Sequence, residues 1–302
     1  MKYHEEGISF VVQGAVERKN DITSKCLQSI KEFFPASEVI LSTWEGSDVS
    51  GLAFDQLILS ADPGDLGPYY EDRKNLLNNN NRQLLSTYEG IKASTSSYVV
   101  KVRSDMLFSS NRLEYYLRKT GKCKGRVLSH KLITLRDHTI NPKHFLKLSH
   151  HPSDFIYAGR REDMLYYFDS PLQTRDMASY FKNYNYPDEI VPKLIPQFAN
   201  EQYILKSFLE RAEGHCMLKH AFDFDSDVVQ DWFRIVSEYF FLCSEKELGI
   251  TCQKYKKGFF SERRYSFTKK EFYALFSKEV GHFDFERLFY SSVHLIKNVL
   301  KK

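Results

Sequence analysis

Long apolar runs are what this 302-residue chain most plainly lacks. A helix that crosses a bilayer needs ~18 or more consecutive apolar residues. Nothing in the sequence approaches that, so the chain is expected not to cross a membrane by helices, although it could lie on one. Cysteine is scarce: Cys26, Cys123, Cys216, Cys243 and Cys252 are odd in number, scattered and never spaced as C-x-x-C. That argues against a disulfide framework and against zinc, and reduced, mostly packed thiols fit the cytosol. There is no internal repeat, and the asparagine run Asn78 to Asn81 is the only low-complexity stretch. The start, Met1-Lys2-Tyr3-His4-Glu5-Glu6, is acidic and is followed by a short apolar run from Ile8 to Val12. Neither a signal peptide nor a transit peptide is expected there.

What is present suits a large folded domain. The chain is 42% hydrophobic and 15% aromatic, which excludes disorder, and its length fits one large α/β domain with an appended subdomain. The formal charge of +4 is unevenly placed: Lys254 to Lys302 holds twelve Lys/Arg against five Asp/Glu, leaving 31 against 34 in residues 1 to 253. A slightly acidic body with a +7 tail predicts that the last fifty residues meet an anionic surface, a phospholipid one before a nucleic acid. Lys256-Lys257 and Arg263-Arg264, interleaved with aromatics, match an RNA-binding surface in composition only, with no RNA module behind them. Near the end, Phe285, Leu288, Phe289, Val293, Ile296, Val299 and Leu300 share one helical face, as in a helix docked on the core or lying at a membrane interface. The chain therefore reads as a main domain over residues 1 to 250 and a basic helical extension over 251 to 302.

The first half alternates strands and helices. Ile8-Ser9-Phe10-Val11-Val12-Gln13 is a β-rich run ending at Gly14. Asp21 offers an N-cap to a helix carrying Cys26, Leu27, Ile30, Phe33 and Phe34, which Pro35 ends. Glu38 to Thr43 and Asp55 to Ser60 are two more strands, each closed by turn chemistry, Trp44-Glu45-Gly46 and Asp62-Pro63-Gly64. The asparagine run caps a helix over Arg82 to Lys92, and Tyr98-Val99-Val100-Lys101-Val102 gives a fourth strand. This is a doubly wound pattern, and ligands of such sheets bind outside the carboxyl ends of the strands. Further along, a helix is predicted over Asn111 to Lys119, strands near Arg126 to Lys131 and Asp154 to Ala158, and a helix around Arg160 to Phe168. Residues 169 to 197 hold four of the nine prolines and predict an irregular excursion before helix resumes at Asn200.

The strongest single feature is the strand that delivers Asp105 after Lys101-Val102-Arg103-Ser104. A carboxylate there can hold a divalent ion against a diphosphate, while Lys101 and Arg103 can face phosphate oxygens or pair with acidic neighbours. An Asp after a strand is also an ordinary turn residue or cap. Arg82, in the polar first turn of the preceding helix, can help cradle an anion, or simply belong to a solvated cap. His144, His150 and His151 lack a carboxylate or cysteine at metal spacing and read as surface or core histidines. Asp223-Phe224-Asp225-Ser226-Asp227 lacks the glycine and closing glutamate of a calcium loop.

Taken in order, Ile8 to Gly14, Leu41-Ser42-Thr43-Trp44-Glu45-Gly46, Asp62-Pro63-Gly64, Asn81-Arg82-Gln83, Ser86-Thr87, Lys101 to Asp105 and Ser153-Asp154-Phe155 resemble the WavE-type lipopolysaccharide synthesis family of bacteria. The resemblance covers roughly residues 7 to 250. It implies a GT-A-like, Rossmann-type, mostly parallel sheet flanked by helices with a C-terminal helical subdomain, and a glycosyltransferase of lipopolysaccharide core, O-antigen or capsule assembly. Its donor would be a nucleotide-sugar, its acceptor a saccharide or lipid-linked glycan, and it would be cytoplasmic and peripheral on the anionic inner membrane, without nucleic acid. Gln13 and Gly14 would lie beside the base, Thr43 and Trp44 beside them with Trp44 as a stacking wall, and Arg82 and Gln83 near ribose or phosphate. Lys101, Arg103 and Ser104 would face the diphosphate. Arg103-Ser104-Asp105 sits where GT-A enzymes carry Asp-x-Asp. Arg103 replaces the first carboxylate, so either Asp105 holds Mn²⁺ or Mg²⁺ through the diphosphate or the arginine supplies the charge itself. Glu201 and Asp154 compete for the role of base that deprotonates the acceptor hydroxyl. Two other readings stay open: a sugar-phosphate or nucleotidyl transferase on a similar sheet, and a non-catalytic protein that recruits partners to membranes.

Overall fold

The computed structural model describes residues 7 to 123, 127 to 187, 193 to 253 and 265 to 279. Four apolar runs form a parallel half-sheet: β1 (Ile8–Gln13), β2 (Glu38–Trp44), β3 (Gln56–Ser60) and β4 (Tyr98–Arg103). They lie in the order β3-β2-β1-β4, with Val11 opposite Ile40 on one side and Lys101 on the other. The chain then folds β5 (Met106–Phe108) out of the sheet and returns with β6 (Leu132–Leu135), β7 (Ile156–Arg160) and β8 (Phe240–Cys243). β7 runs antiparallel between β4 and β6, and β8 closes the edge parallel to β6, so the seven-stranded sheet is mostly parallel. β9 (Ile250–Cys252) pairs with β5 in a small second sheet.

Helices cover both faces, as a sheet buried on both sides requires. Period-two alternation sorts the strand side chains: Phe10, Val12, Leu41, Val100 and Val102 face α1 (Ile22–Phe33) and α3 (Arg112–Lys119). Val11, Ile40, Val99, Leu132 and Tyr157 face α2 (Asn80–Ala93), α4 (Arg161–Phe168), α7 (Asn200–Glu213) and α8 (Ser226–Tyr239). Two single-turn helices, α5 (Arg175–Ala178) and α6 (Tyr180–Asn183), lie within the proline-bearing excursion. α9 (Glu245–Leu248) follows β8. Gly90 lets α2 sit hard against the sheet, because a Cβ there would meet Val11 Cγ1 at 2.3 Å and Ser42 Cβ at 3.0 Å.

Three local expectations are corrected. The strand expected near Arg126 to Lys131 lies at Leu132–Leu135 instead. Lys131 precedes the strand, its ammonium donating to the Ser237 carbonyl, and the apolar run Leu132–Leu135 supplies the side chains that the sheet buries. Asp21 occupies the cap position of α1 in a left-handed conformation without a side-chain cap bond, and Thr23 Oγ1 accepts from the Glu17 amide instead, at 2.8 Å. The asparagine run does not cap α2 from outside: the helix starts within it at Asn80, Asn79 at the cap position makes no side-chain cap bond, and Asn81 exchanges hydrogen bonds of 2.7 and 3.0 Å with the Gln173 backbone, tying the helix start to the excursion.

Of residues 251 to 302, the described part is packed into the body. Ile250–Cys252 belongs to β9, Phe267 and Phe272 are fully buried beside Trp232 and Phe240, and α10 (Lys269–Glu279) rests against α8. Thr268 and Glu271 cap α10 reciprocally. The amphipathic helix expected between Phe285 and Leu300 lies outside the described residues. No helix among the described residues is long and apolar enough to cross a membrane.

Candidate functional site

The carboxyl ends of β1, β2 and β4, the start of α2 and the loop ahead of β7 open on one edge of the sheet. Between them lies a cleft of about 570 Å³. Gln13 and Gly14 line it from β1, Trp44 from β2, Arg103, Ser104 and Asp105 from β4, Arg82 and Gln83 from the first turn of α2, and Asp154 from the loop before β7. Leu76, Leu77 and Tyr69, from the excursion between β3 and α2, form its outer wall. Thr43 and Lys101 do not reach it. Thr43 is buried in β2 with Oγ1 3.2 Å from Ser47 Oγ. Lys101 lies two residues deeper than Arg103 on the same strand face, and its ammonium donates to the Asp154 carbonyl. Burial lowers the Lys101 pKa to about 8.

Each polar wall is held in place by a local partner. Gly14 has φ of +114°, a conformation that favours glycine, and the Ser104 hydroxyl donates to the Ala15 carbonyl at 2.7 Å beside it. Gln13 Oε1 accepts from the Ser86 hydroxyl at 3.0 Å. Both arginines are gripped by a carboxylate. Arg82 donates through Nε and Nη2 to the two oxygens of Asp62, each at 2.7 Å, and through Nη1 to Asn79 at 2.7 Å. Arg103 donates through Nε and Nη2 to the two oxygens of Asp105 at 3.1 and 2.6 Å, and lies 4.5 Å over the Phe155 ring. Its Nη1 is 3.8 Å from Asp154 Oδ2.

Arg103, Asp154, Tyr69 and Asn200 also line a second cavity of about 290 Å³, so the two cavities share these four residues. Tyr70, Ile140, Leu146, Leu148 and Leu194 make one side of it apolar, and His138, His151 and Glu201 make the other polar. The two carboxyl groups here are driven apart. Burial alone would push the Asp154 carboxyl up, but the charges of Arg103 and Lys101, with His151 and His138 behind them, hold it below the usual carboxylate range. Burial pushes Glu201 up, the pull of His151 opposes it, and the Asp154 charge adds to the rise. His151 Nε2 is 3.4 Å from Glu201 Oε2. Tyr69 Oη accepts from the Asn200 amide at 3.2 Å, anchoring the start of α7 in the wall that the two cavities share.

Thus the cleft collects Gln13, Gly14, Trp44, Arg82, Gln83, Arg103, Ser104, Asp105 and Asp154, and the second cavity adds Glu201. Tyr69, His138, His151 and Asn200 were not anticipated. His151 stands three residues before Asp154 and Asn200 adjoins Glu201, which is the only signal the sequence offers for them. His144 and His150 lie elsewhere, paired with Glu271 at 2.8 Å and Asp231 at 3.1 Å. Asp223 accepts from the Lys219 and His220 amides, the work of a turn residue.

A divalent ion at Asp105 would need several oxygen ligands. Both Asp105 oxygens are engaged by Arg103, and no cluster of three or more His, Cys, Asp or Glu among the described residues is arranged to hold a metal. As arranged, this donor set does not suit a protein-held divalent cation.

A family model described as WavE lipopolysaccharide synthesis matches residues 8 to 302. None of the curated proteins matches this chain. Among solved structures, a match is the apo-form glycosyltransferase GlyE of Streptococcus pneumoniae TIGR4, at 8% identity and a TM-score of 0.35, covering 68% of this chain and 44% of that one. This chain therefore spans less than half the length of that protein.

Proposed function

The chain belongs to the WavE lipopolysaccharide synthesis family, and from that premise we propose that it is a GT-A-like glycosyltransferase moving a sugar from a nucleotide-sugar to a saccharide or lipid-linked glycan. The observation that carries the reading is the pair of cavities that share Arg103 and Asp154 in their walls. A polar cleft at the carboxyl ends of parallel strands suits a nucleotide diphosphate, with Gln13, Gly14 and Trp44 about the base and Arg82, Gln83 and Ser104 toward ribose and phosphate. The adjoining cavity, apolar and aromatic on one side and carrying a carboxyl group on the other, suits a sugar acceptor.

Glu201 is the base in this proposal. A carboxyl group whose pKa is raised toward the working pH accepts a proton better than one held strongly ionised, so Glu201 fits the role and Asp154 does not. The acceptor hydroxyl gives its proton to Glu201 as its oxygen bonds to the anomeric carbon. The bond from that carbon to the diphosphate oxygen breaks, and its electron pair leaves with the nucleoside diphosphate. Asp154 instead orients Gln83, whose Nε2 lies 3.4 Å from Asp154 Oδ2. The basic C-terminal segment would hold the enzyme against an anionic membrane carrying a lipid-linked acceptor.

Incubation with a panel of nucleotide-sugars and a lipopolysaccharide-derived acceptor tests the reading. Release of a nucleoside diphosphate with a glycosylated product supports it. Release of a monophosphate with the sugar phosphate retained on the product would mark sugar-phosphate transfer, and no stabilisation by any uridine, cytidine, guanosine or thymidine nucleotide would overturn donor binding altogether.

A further inference from the structure

We propose that Arg103, with Arg82 lining the same cleft, takes the place of a divalent ion at the donor diphosphate, so that nucleotide binding in this protein is independent of metal. The inference rests on the glycosyltransferase reading above and concerns how that site meets the charge of its leaving group.

The geometry of the two arginines carries it. Both line the cleft, and each has its guanidinium plane fixed by a two-pronged contact with one carboxylate, Asp105 for Arg103 and Asp62 for Arg82. A guanidinium presents five N–H donors in one rigid plane that matches the spacing of phosphate oxygens. Asp105 grips one edge of that plane, and Phe155 supports its face at 4.5 Å. The side chain therefore has its orientation set before a diphosphate arrives.

A metal ion fits the same place poorly. A divalent ion on Asp105 would set two positive charges against the largely buried Arg103 cation that Asp105 already holds at 2.6 Å. Asp105 is the one carboxylate of the Arg103-Ser104-Asp105 stretch, because Arg103 stands where the first would be. Arg103 also lines the second cavity, so it stands between the proposed donor and acceptor sites. A guanidinium at that point can donate a hydrogen bond to the diphosphate oxygen, on which negative charge develops as its bond to the anomeric carbon breaks.

The test is isothermal titration of the full-length protein with uridine, cytidine, guanosine and thymidine diphosphates, each in Mn²⁺ and in EDTA. Equal affinity in both conditions is expected for whichever nucleotide binds. Arg103→Ala should weaken that binding at least tenfold in both conditions. Arg103→Lys, which keeps the charge and loses the two-pronged geometry, should weaken it several-fold and stay insensitive to EDTA, so a fold defect in the alanine variant leaves the test intact. Wild-type binding that vanishes in EDTA overturns the inference and leaves the nucleotide-sugar reading standing. Binding of no nucleotide in either condition overturns both.

Discussion

Glu201 and Asp154 share one cavity, yet their environments pull their protons in opposite directions. Asp154 faces two cations directly and stays ionised, whereas Glu201 has burial and a neighbouring anion against it, with His151 as its nearest compensation. The folded state thus holds the Glu201 proton more tightly than the unfolded chain does. The sign follows: stability associated with this group is present at low pH and is lost as pH rises through the folded value. Glu201→Gln should therefore abolish transfer while raising the thermal midpoint at pH 8, with the gain shrinking as pH falls through the folded value. Differential scanning fluorimetry from pH 8 down to pH 5 checks it, and an equal gain at both ends would refute the assignment. Lys101 carries the converse case. Its folded pKa is about 8 and the unfolded ammonium titrates near 10.4, so between those values the unfolded state binds more protons and stability rises with pH. Lys101→Met should erase that rise, on the order of 1 kcal/mol between pH 7.5 and 9.5. Urea midpoints of the two proteins at both pH values measure the difference.

At the scale of elements, α2 is the one that couples fold to site. Its Gly90 lies against Val11 and Ser42 of the sheet while Arg82 and Gln83, two turns earlier, line the cleft. A methyl group at position 90 must push the helix off the sheet, and the displacement is transmitted along a rigid rod. Gly90→Ala should cost about 1 to 3 kcal/mol by overpacking and weaken donor-nucleotide binding with it. Chemical denaturation and titration on the same preparation report both effects, and unchanged stability would show that the helix tolerates the methyl. The same element shows what the sequence could reveal. Strands β1 to β4 were readable because each is a short apolar run closed by turn chemistry, and the doubly wound rule then pointed to their carboxyl ends, where Gln13, Trp44 and Arg103 do line a cleft. β6 was misplaced because its flank Leu128 is apolar as well, so the run alone did not fix its boundary. The antiparallel insertion of β7, the pairing of β5 with β9, and the approach of His151 and Tyr69 all depend on contacts between segments distant in sequence. The pairing of Arg103 with Asp105 is local, yet nothing in the order of residues said that the arginine would take both oxygens.

At the scale of the whole molecule, the C-terminal charge changes meaning once packing is known. Residues 265 to 279 contribute structure: Phe267 and Phe272 are fully buried, and Lys269 is committed to Glu247 at 3.0 Å. Most of the excess positive charge lies elsewhere, because residues 254 to 264 hold Lys254, Lys256, Lys257, Arg263 and Arg264 against the single acid Glu262. Five cations in so short a stretch, at about 1 kcal/mol each on an anionic surface, predict measurable attachment to an anionic membrane. The attraction is screened over a Debye length of about 8 Å at physiological ionic strength, so it should weaken steeply with added salt. The full chain is expected to co-sediment with vesicles containing phosphatidylglycerol at 0.1 M salt, not with purely zwitterionic vesicles, and to be released near 0.5 M. Replacing the five cations by glutamine should remove vesicle binding while leaving nucleotide affinity and the thermal midpoint unchanged, since Arg82 and Arg103 belong to the cleft and not to this segment. Retained vesicle binding in the five-fold variant would assign the membrane contact to another surface. A parallel loss of nucleotide affinity would mean that the basic segment belongs to the donor site.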